Sequence, residues 1–570
     1  ARWKHLKGYP VVIAKGTDID PDGDLSSQQV YDYIHNAYQT WENPPEYVCI
    51  LGDINLQIPD YGFNGYVSDH PYSCVDGDDY FSDIMVTRMS VPATASTIRT
   101  AIYKAIIYEK TPYMGDPNYW LRGLSAAANL TYLGAPSRTP RLTTLWVRQE
   151  LMRHGFIRVD TTFAWDGYDP GTAYAINSLN NGVSMISYRG NGTPSSWGGP
   201  WLGVDDLDGL NLNNKMGIMA SLTCGNGRYG EDECFGEKWI RMGVLPNLLK
   251  GGPAFYGATE SNTHTKYDNP IMIGYYWGIL EEGVYNFANA AFMGKAELYN
   301  TFPREHGAGT LVERFFYTFN TLGEPELEIR TAIPQSMTVT YPSTMPVGSS
   351  LMTVHVIGAG GIPLANAYVN LVKGRTTEEV FVGGTTNANG DIMLNFATNV
   401  ADTMFVTVTA RNYIPHVGYS LVQNQAVAVN ISNITLDDDN NGNSSGNNDG
   451  NANPGETVEF AVTLRNFGNA TTATNVQATL ISPDPAITIM VPTQSFGDMA
   501  PGATSGSGSF AAHLTGDIPQ DEHYILQLNI TSDQGNWTGA VPVDIKNMMF
   551  AVTAVSYPGN SNNILDHGET

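Results

Sequence analysis

Cysteine is scarce in this chain, with four residues among 570, too few for a disulfide framework. Basic residues are scarce as well: 30 Lys plus Arg stand against 56 Asp plus Glu, a formal charge of −26. A surface of that sign repels nucleic acid and anionic membranes and attracts divalent cations, which argues against a polyanionic partner. No apolar run reaches the ~18 residues that a membrane span needs. Charged residues make up only 15% of the chain while hydrophobic ones reach 42%, a balance of packed domains rather than disorder. At this length three or more domains are expected.

What is present changes character near Arg330. Before it, apolar strands alternate with amphipathic helices, the pattern of an α/β domain with a mostly parallel sheet covered on both faces. Strands are expected at Pro10 to Ala14, Tyr47 to Leu51, Asp83 to Thr87, Val183 to Tyr188, Gly217 to Leu222 and Ala254 to Ala258. Helical spacing marks Ser26 to Trp41 and Thr94 to Glu109, where Ile98, Ile102 and Ile106 form one apolar stripe read as core. The strand-helix groups before and after about residue 116 predict two side-by-side subdomains, 1–115 and 116–332. Beyond them, short alternating strands with Gly, Pro and Asn turns predict immunoglobulin-like β-sandwiches at 335–432 and 433–548. Asn453-Pro454-Gly455-Glu456-Thr457 is echoed by Leu565 to Thr570, so 549–570 reads as the start of a further repeat.

Two apolar runs about thirty residues apart carry the chemistry. Val183 to Tyr188 ends in Arg189-Gly190-Asn191-Gly192, and Met216 to Thr223 ends in Cys224-Gly225-Asn226-Gly227. A short apolar run closed by glycines delivers a polar side chain to the carboxyl edge of a sheet, where open α/β folds keep their chemistry. Cys224 is the candidate nucleophile. Thiolate attacks carbonyls readily, but a free thiol near pKa ~8.5 is largely protonated at neutral pH, so such sites add a base and oriented amide donors. The backbone N–H groups of Gly192 and Cys224 are the candidate oxyanion hole. The alternative is that Cys224 is a small core residue at a strand end. Cys49 and Cys74 read as buried, inert thiols.

The chain resembles the gingipain family of secreted bacterial cysteine peptidases, whose catalytic domain is caspase-like. The resemblance covers residues 1 to about 331. It rests on Tyr47-Val48-Cys49-Ile50-Leu51-Gly52-Asp53, Ser68-Asp69-His70-Pro71-Tyr72, Asp76 to Asp83 with Arg88, Tyr188 to Gly192 with Trp197-Gly198, Thr223 to Gly227, Cys234-Phe235-Gly236-Glu237, and Leu322 to Leu327. It implies peptide-bond cleavage by a Cys-His pair, with Cys224 matching the nucleophile and polypeptides as substrates. Two departures stand out. Asn191 occupies the family's histidine position, and an amide can neither take the thiol proton near neutral pH nor protonate a leaving amine. The stretch matching the family's orienting glutamate, Ala126-Ala127-Ala128-Asn129-Leu130, holds no carboxylate. Whether Asn191 is native or introduced, a pseudopeptidase acting as a cell-surface binding or assembly protein is the alternative to an endopeptidase. Where Arg-cleaving relatives place an acid, Pro136 to Leu142 offers Arg138 and Arg141. His264 reads as a solvent-facing loop residue, and Asp205, Asp206 and Asp208 as solvated.

No cofactor is expected for catalysis. Structural Ca²⁺ is an expectation at Asp76, Asp78, Asp79 and Asp83, since calcium takes six to eight oxygen ligands and the family binds it. A weaker set is Asp437, Asp439, Asp449 and Glu456, whose alternative is a flexible Asn/Gly tether. Asn-x-Ser/Thr sequons at Asn129, Asn191, Asn430, Asn433, Asn443, Asn469, Asn529 and Asn536 are compatible with export. The chain is expected to be a piece of a longer secreted or cell-surface precursor. The sequence leaves its oligomeric state open.

Overall fold

A computed structural model describes residues 1–570 apart from 55–57, 129–130, 133–134, 137–138, 164–170, 231, 246–247, 375–377, 520–521 and 547–570. The chain divides into two compact units, one formed mainly by residues 1–338 and one mainly by the residues beyond. The expected repeat at 549–570 lies outside the described residues.

The first unit is built on one eight-stranded sheet. Its strands are β1 (Tyr47–Leu51), β2 (Met85–Met89), β3 (Arg122–Ala127), β4 (Arg158–Thr162), β5 (Met185–Arg189), β6 (Ile218–Leu222), β7 (Ala254–Ala258) and β8 (Phe319–Gly323), in the order β1-β2-β8-β7-β6-β5-β3-β4. Neighbours run parallel at every junction but one, the antiparallel pairing of β8 with β7. The sheet thus has two parallel halves of opposite direction that do not follow the expected division near residue 116, since β8, from beyond it, runs with β2 and against β7. β5, β6 and β7 are buried along their whole length, as strands covered on both faces must be.

Pro10 to Ala14 is not a strand: Val11, Val12 and Ile13 are exposed and make no ladder. Apolar composition marked it, but no neighbouring strand receives it. The helices of the first unit include α1 (Ala95–Lys110), α2 (Phe235–Arg241) and α3 (Thr265–Leu280). In α1 the deeply buried face is Ala101, Lys104, Ala105 and Tyr108, while Ile98, Ile102 and Ile106 are half-buried at its margin. Lys104 is tolerated there because its ammonium donates to the carbonyls of Trp239, Met242 and Lys250.

Among the described residues the second unit is all β. Leu351–Ile357 pairs with Asp391–Asn395, and a separate five-stranded sheet contains Tyr368–Lys373 and Asp402–Thr409. Two four-stranded sheets follow, Val429–Asp437 leading one and Gly535–Asp544 closing the other. Alternate residues of both, such as Val458, Phe460 and Val462 against Leu526, Leu528 and Ile530, fill one core. Val429–Asp437 pairs with Thr457–Asn466, so the division between sandwiches precedes Val429 rather than falling at 432–433.

Candidate active site

β5 and β6 lie side by side in parallel, with Arg189 opposite Leu222. Each chain then continues two residues past its strand, to Asn191 and to Cys224. The intervening pair is tied directly, because the Thr223 hydroxyl donates to the Gly190 carbonyl at 2.5 Å. The two candidate residues thus leave neighbouring carboxyl ends at matching positions, as the glycine-terminated runs predict.

The turn at Cys224 is held from several sides. Gly225, at φ +69°, adopts the left-handed conformation that glycine accepts without strain, and its N–H donates to the Glu260 carbonyl at 2.7 Å. Gly227 N–H donates to the Ala258 carbonyl at the end of β7. Trp197 Nε1 donates to Ser221 Oγ, which donates to Asn226 Oδ1, and Asn226 Nδ2 donates to the Thr193 and Ser196 carbonyls. This relay fastens the hairpin after Asn191 to the turn after β6. The Tyr188 ring stacks on Trp197 with centroids 4.3 Å apart, and its hydroxyl donates to the Asn191 carbonyl at 2.5 Å.

Cys224 is partly exposed, and its Sγ lies 3.4 Å from Thr263 Oγ1. Asn191 is exposed, with its backbone carbonyl fixed by Tyr188 and by the Gly198 N–H. Gly192 begins a two-residue hairpin strand opposite Trp197. A Cβ at Gly192 would lie 2.7 Å from Thr223 Cγ2, so that glycine permits the close approach of the two loops. On the other flank, Ala128 N–H donates to the Arg189 carbonyl, and a Cβ at Gly190 would lie 2.4 Å from the Ala128 methyl. Asn129 and Leu130, where the family resemblance seeks its orienting acid, and Arg138 of the expected specificity stretch lie outside the described residues.

Other predicted residues sit elsewhere. His264 is exposed at the start of α3, and its Nδ1 accepts from the Lys266 N–H, a capping role. Asp208 pairs with Lys238 and Asp206 accepts from the Gly203 N–H. Cys49 is exposed rather than buried, and Cys74 is half-buried; β1 is an edge strand whose alternate residues face outward.

The two acidic loops are wired to their own backbone. Asp83 Oδ2 accepts from the N–H groups of Val75 and Asp76, Asp76 Oδ1 from Gly77, and Asp79 Oδ1 from Phe81; Asp78 is exposed. In the second loop Asp439 accepts from the Asn441 N–H, Asp449 from Asn451, and Glu456 from Asn447 and Asn453. Asp437 accepts from the Asp439 N–H, and the neighbouring Asp438 is buried. That loop is a hydrogen-bonded turn packed on its sandwich, not a free tether. Among the described residues, ligand atoms converge within 4.8 Å only for Glu109 with Glu324 and Glu326, and for Glu150 with His154 and Glu281.

Sequence pattern does not single out Thr263, Glu260 or Asp268, and it marks Arg189 only as part of a motif. The Arg189 guanidinium is buried; it donates to the Leu222 carbonyl, to Asp268 Oδ2 at 3.1 Å and to Asn269 Oδ1 at 2.9 Å. The Asp268 carboxyl is pushed up to about 6 by burial, against the opposing pull of Arg189 and of the Thr263 hydroxyl. The signal for this group is a motif Arg and an acid one helical turn after His264, which spacing alone does not connect.

Among curated proteins, gingipain R2 of Porphyromonas gingivalis is 22% identical over 430 residues, covering 72% of this chain and 53% of the relative. Gingipain R1 of Porphyromonas gingivalis is 22% identical over 429 residues, covering 72% and 40%. The chain thus spans about half the length, or less, of these curated relatives. The crystal structure of the Arg-specific cysteine proteinase gingipain R aligns with a TM-score of 0.64 at 18% identity, over 74% of this chain and 93% of that one. A complex of the RgpB pro- and mature domains from Porphyromonas gingivalis aligns at 0.65 and 18%, over 74% and 95%. These structures share the fold. The profile of peptidase family C25 matches residues 1–330, more than half of the chain, and the chain belongs to that family.

Proposed function

We propose that residues 1–330 form a gingipain-like thiol-peptidase body that presents Cys224 as a nucleophile toward polypeptides but turns substrate over poorly, because an amide stands at position 191. The observation that carries this reading is the parallel register of β5 and β6, which brings Asn191 and Cys224 off adjacent strand ends at matching positions. Acylation leaves the amine product needing a proton, and an amide at 191 has none to give near neutral pH. Loss of one member of a catalytic unit costs about 10⁴ to 10⁶ in turnover. The body then serves as a polypeptide-binding module at the cell surface or outside it, with the β-sandwiches as immunoglobulin-like modules that tether or present it.

The test is a peptide-library assay on the chain as written, on Cys224→Ala and on Asn191→His. The reading expects no turnover above Cys224→Ala for the chain as written, and a gain of at least about 100-fold for Asn191→His, the lower end of what a positioned base contributes. Turnover by the unaltered chain that vanishes in Cys224→Ala overturns it. So does failure of a peptidyl chloromethyl ketone to label Cys224 in the Asn191→His chain.

A further inference from the structure

The group that touches the Cys224 sulfur comes from neither catalytic strand. It is Thr263, just before α3, with Oγ1 3.4 Å from Sγ. Five residues on, Asp268 is 2% exposed. One of its oxygens, Oδ2, accepts from Arg189 at 3.1 Å; the other, Oδ1, is buried and accepts no hydrogen bond, and the Thr263 hydroxyl is near enough to favour the charged form of this carboxyl alongside Arg189. An acceptor left open inside a protein is costly unless something occupies it. Here the hydroxyl that can occupy it also meets the thiol.

We infer that Thr263 and Asp268 form the proton path of Cys224 in this chain, the Thr263 hydroxyl taking the thiol proton as it passes its own to Asp268. The inference rests on the reading of Cys224 as the nucleophile and deepens it.

The step balances without an added reagent. The S–H bond breaks and its proton goes to Thr263 Oγ1; the Thr263 O–H bond breaks and that proton goes to the Asp268 carboxylate. What remains is a thiolate and a neutral carboxylic acid. One negative charge has moved from Asp268 to the sulfur while Arg189, for which Asp268 and Cys224 are both favourable partners, stays in place as the cation that each state faces. The buried pair is thus never left as an isolated charge, the condition under which burial is most costly. Burial supports the same path, since it raises Asp268 to about 6, far enough to hold a proton transiently near neutrality. Glu260 braces the arrangement from behind: its carbonyl holds the Gly225 N–H, and its buried carboxylate pairs with Arg314. Such a thiol takes up an electrophile once, yet the path supplies nothing in place of an imidazole at 191 for turnover.

The experiment measures the second-order rate at which iodoacetamide modifies Cys224 at neutral pH, read by mass spectrometry on the peptide that contains it, so that Cys49, Cys74 and Cys234 do not contribute. Thr263→Val removes the hydroxyl, keeps the shape, and leaves the Arg189–Asp268 pair intact. It is expected to slow modification about 100-fold, and Thr263→Ser to restore the rate to within about threefold of the unaltered chain. Asp268→Asn is expected to fall to the Thr263→Val rate, with no further loss in the double variant, the non-additivity of groups that act as a unit. If Asp268→Asn does not fold, because it strands Arg189, Asp268→Asn with Arg189→Met removes the unpaired cation and is read in its place. Thr263→Val or the Asp268 variant reacting at the unaltered rate overturns the inference, as does Thr263→Ser reacting as slowly as Thr263→Val. A chain whose Cys224 takes iodoacetamide through this path yet refuses the peptidyl chloromethyl ketone defeats the peptidase reading and leaves the proton path standing. The two failures are therefore distinct.

Discussion

The two units solve the problem of an interior differently. The sandwich unit fills its second core largely by alternation, apolar residues turned inward at every second position, as in Val458, Phe460, Val462 and Leu464 along Thr457–Asn466. The peptidase unit has strands buried on both faces, and its loops close over their ends, so it must bury charge. Arg88, Lys104, Glu109, Arg189, Glu260, Asp268 and Lys295 are all inside it. Each is met by a partner chosen in geometry: Arg88 by both oxygens of Asp69 at 2.7 Å, Lys104 by three carbonyls, Lys295 by His70 Nδ1 at 2.9 Å. A core made by alternation is generic and tolerant of exchange. A core stitched by ion pairs and hydrogen bonds to buried charged side chains is particular, because removing a partner leaves such a group without compensation.

The contrast can be broken most sharply at Asp69. Asp69→Ala strands Arg88, and the first unit is expected to lose about 3–5 kcal/mol, read as an earlier unfolding transition in urea while the sandwich transition stays put. Phe460→Ala is the matching cut in the second unit. It removes a buried ring from the alternating core for about 3–4 kcal/mol, and the sandwich transition alone moves.

Lys295 gives a smaller effect of opposite sign. Burial holds its ammonium down to about 7, with the Cys74 thiol opposing, against 10.5 for the free side chain. Between those values the unfolded chain binds a proton that the native chain does not, so stability of the first unit rises with pH from about 7 to about 10.5 and its penalty is complete below 7. Lys295→Met should stabilise this unit by about 1–3 kcal/mol at neutral pH, allowing for the lost bond to His70, and abolish that rise; an unchanged slope in denaturation from pH 7 to 10 counts against the assignment. Smallest of all, Asp78→Asn, on an exposed side chain, should shift stability by less than about 0.5 kcal/mol, and a shift of several degrees on adding Ca²⁺ that this variant abolishes would assign the loop to a cation.

Much of the body was legible from pattern alone. β1 and β7 match the expected strands residue for residue, and α1 lies within one residue of its expected bounds. These segments are apolar and bounded by turn residues, so local signal and final burial agree. The strands that pattern missed are β3, β4 and β8. β3 reads Arg-Gly-Leu-Ser-Ala-Ala, β4 reads Arg-Val-Asp-Thr-Thr, and β8 carries Asn and Thr in its centre. Their strand character comes from neighbours, not from composition. Val11 to Ile13 errs the other way, apolar in sequence yet unpaired and exposed. At the site, the glycine-closed runs located Cys224 and Asn191 because a strand end needs no distant partner to be recognised. Thr263 meets the sulfur from just before α3, whose first turn Arg189, on β5, holds through Asp268 and Asn269, a meeting of residues far apart in the chain that no spacing encodes.

The seam formed by β8 has a consequence for how this body is made. β2 is complete at Met89, yet its inner neighbour begins only at Phe319. As the chain emerges from the ribosome, the early half waits with an open ladder while all of β3 through β7 is synthesised and assembled. An unpaired strand edge held open is a template for mispairing, and the ladder between the two halves closes only with the strand that is made last.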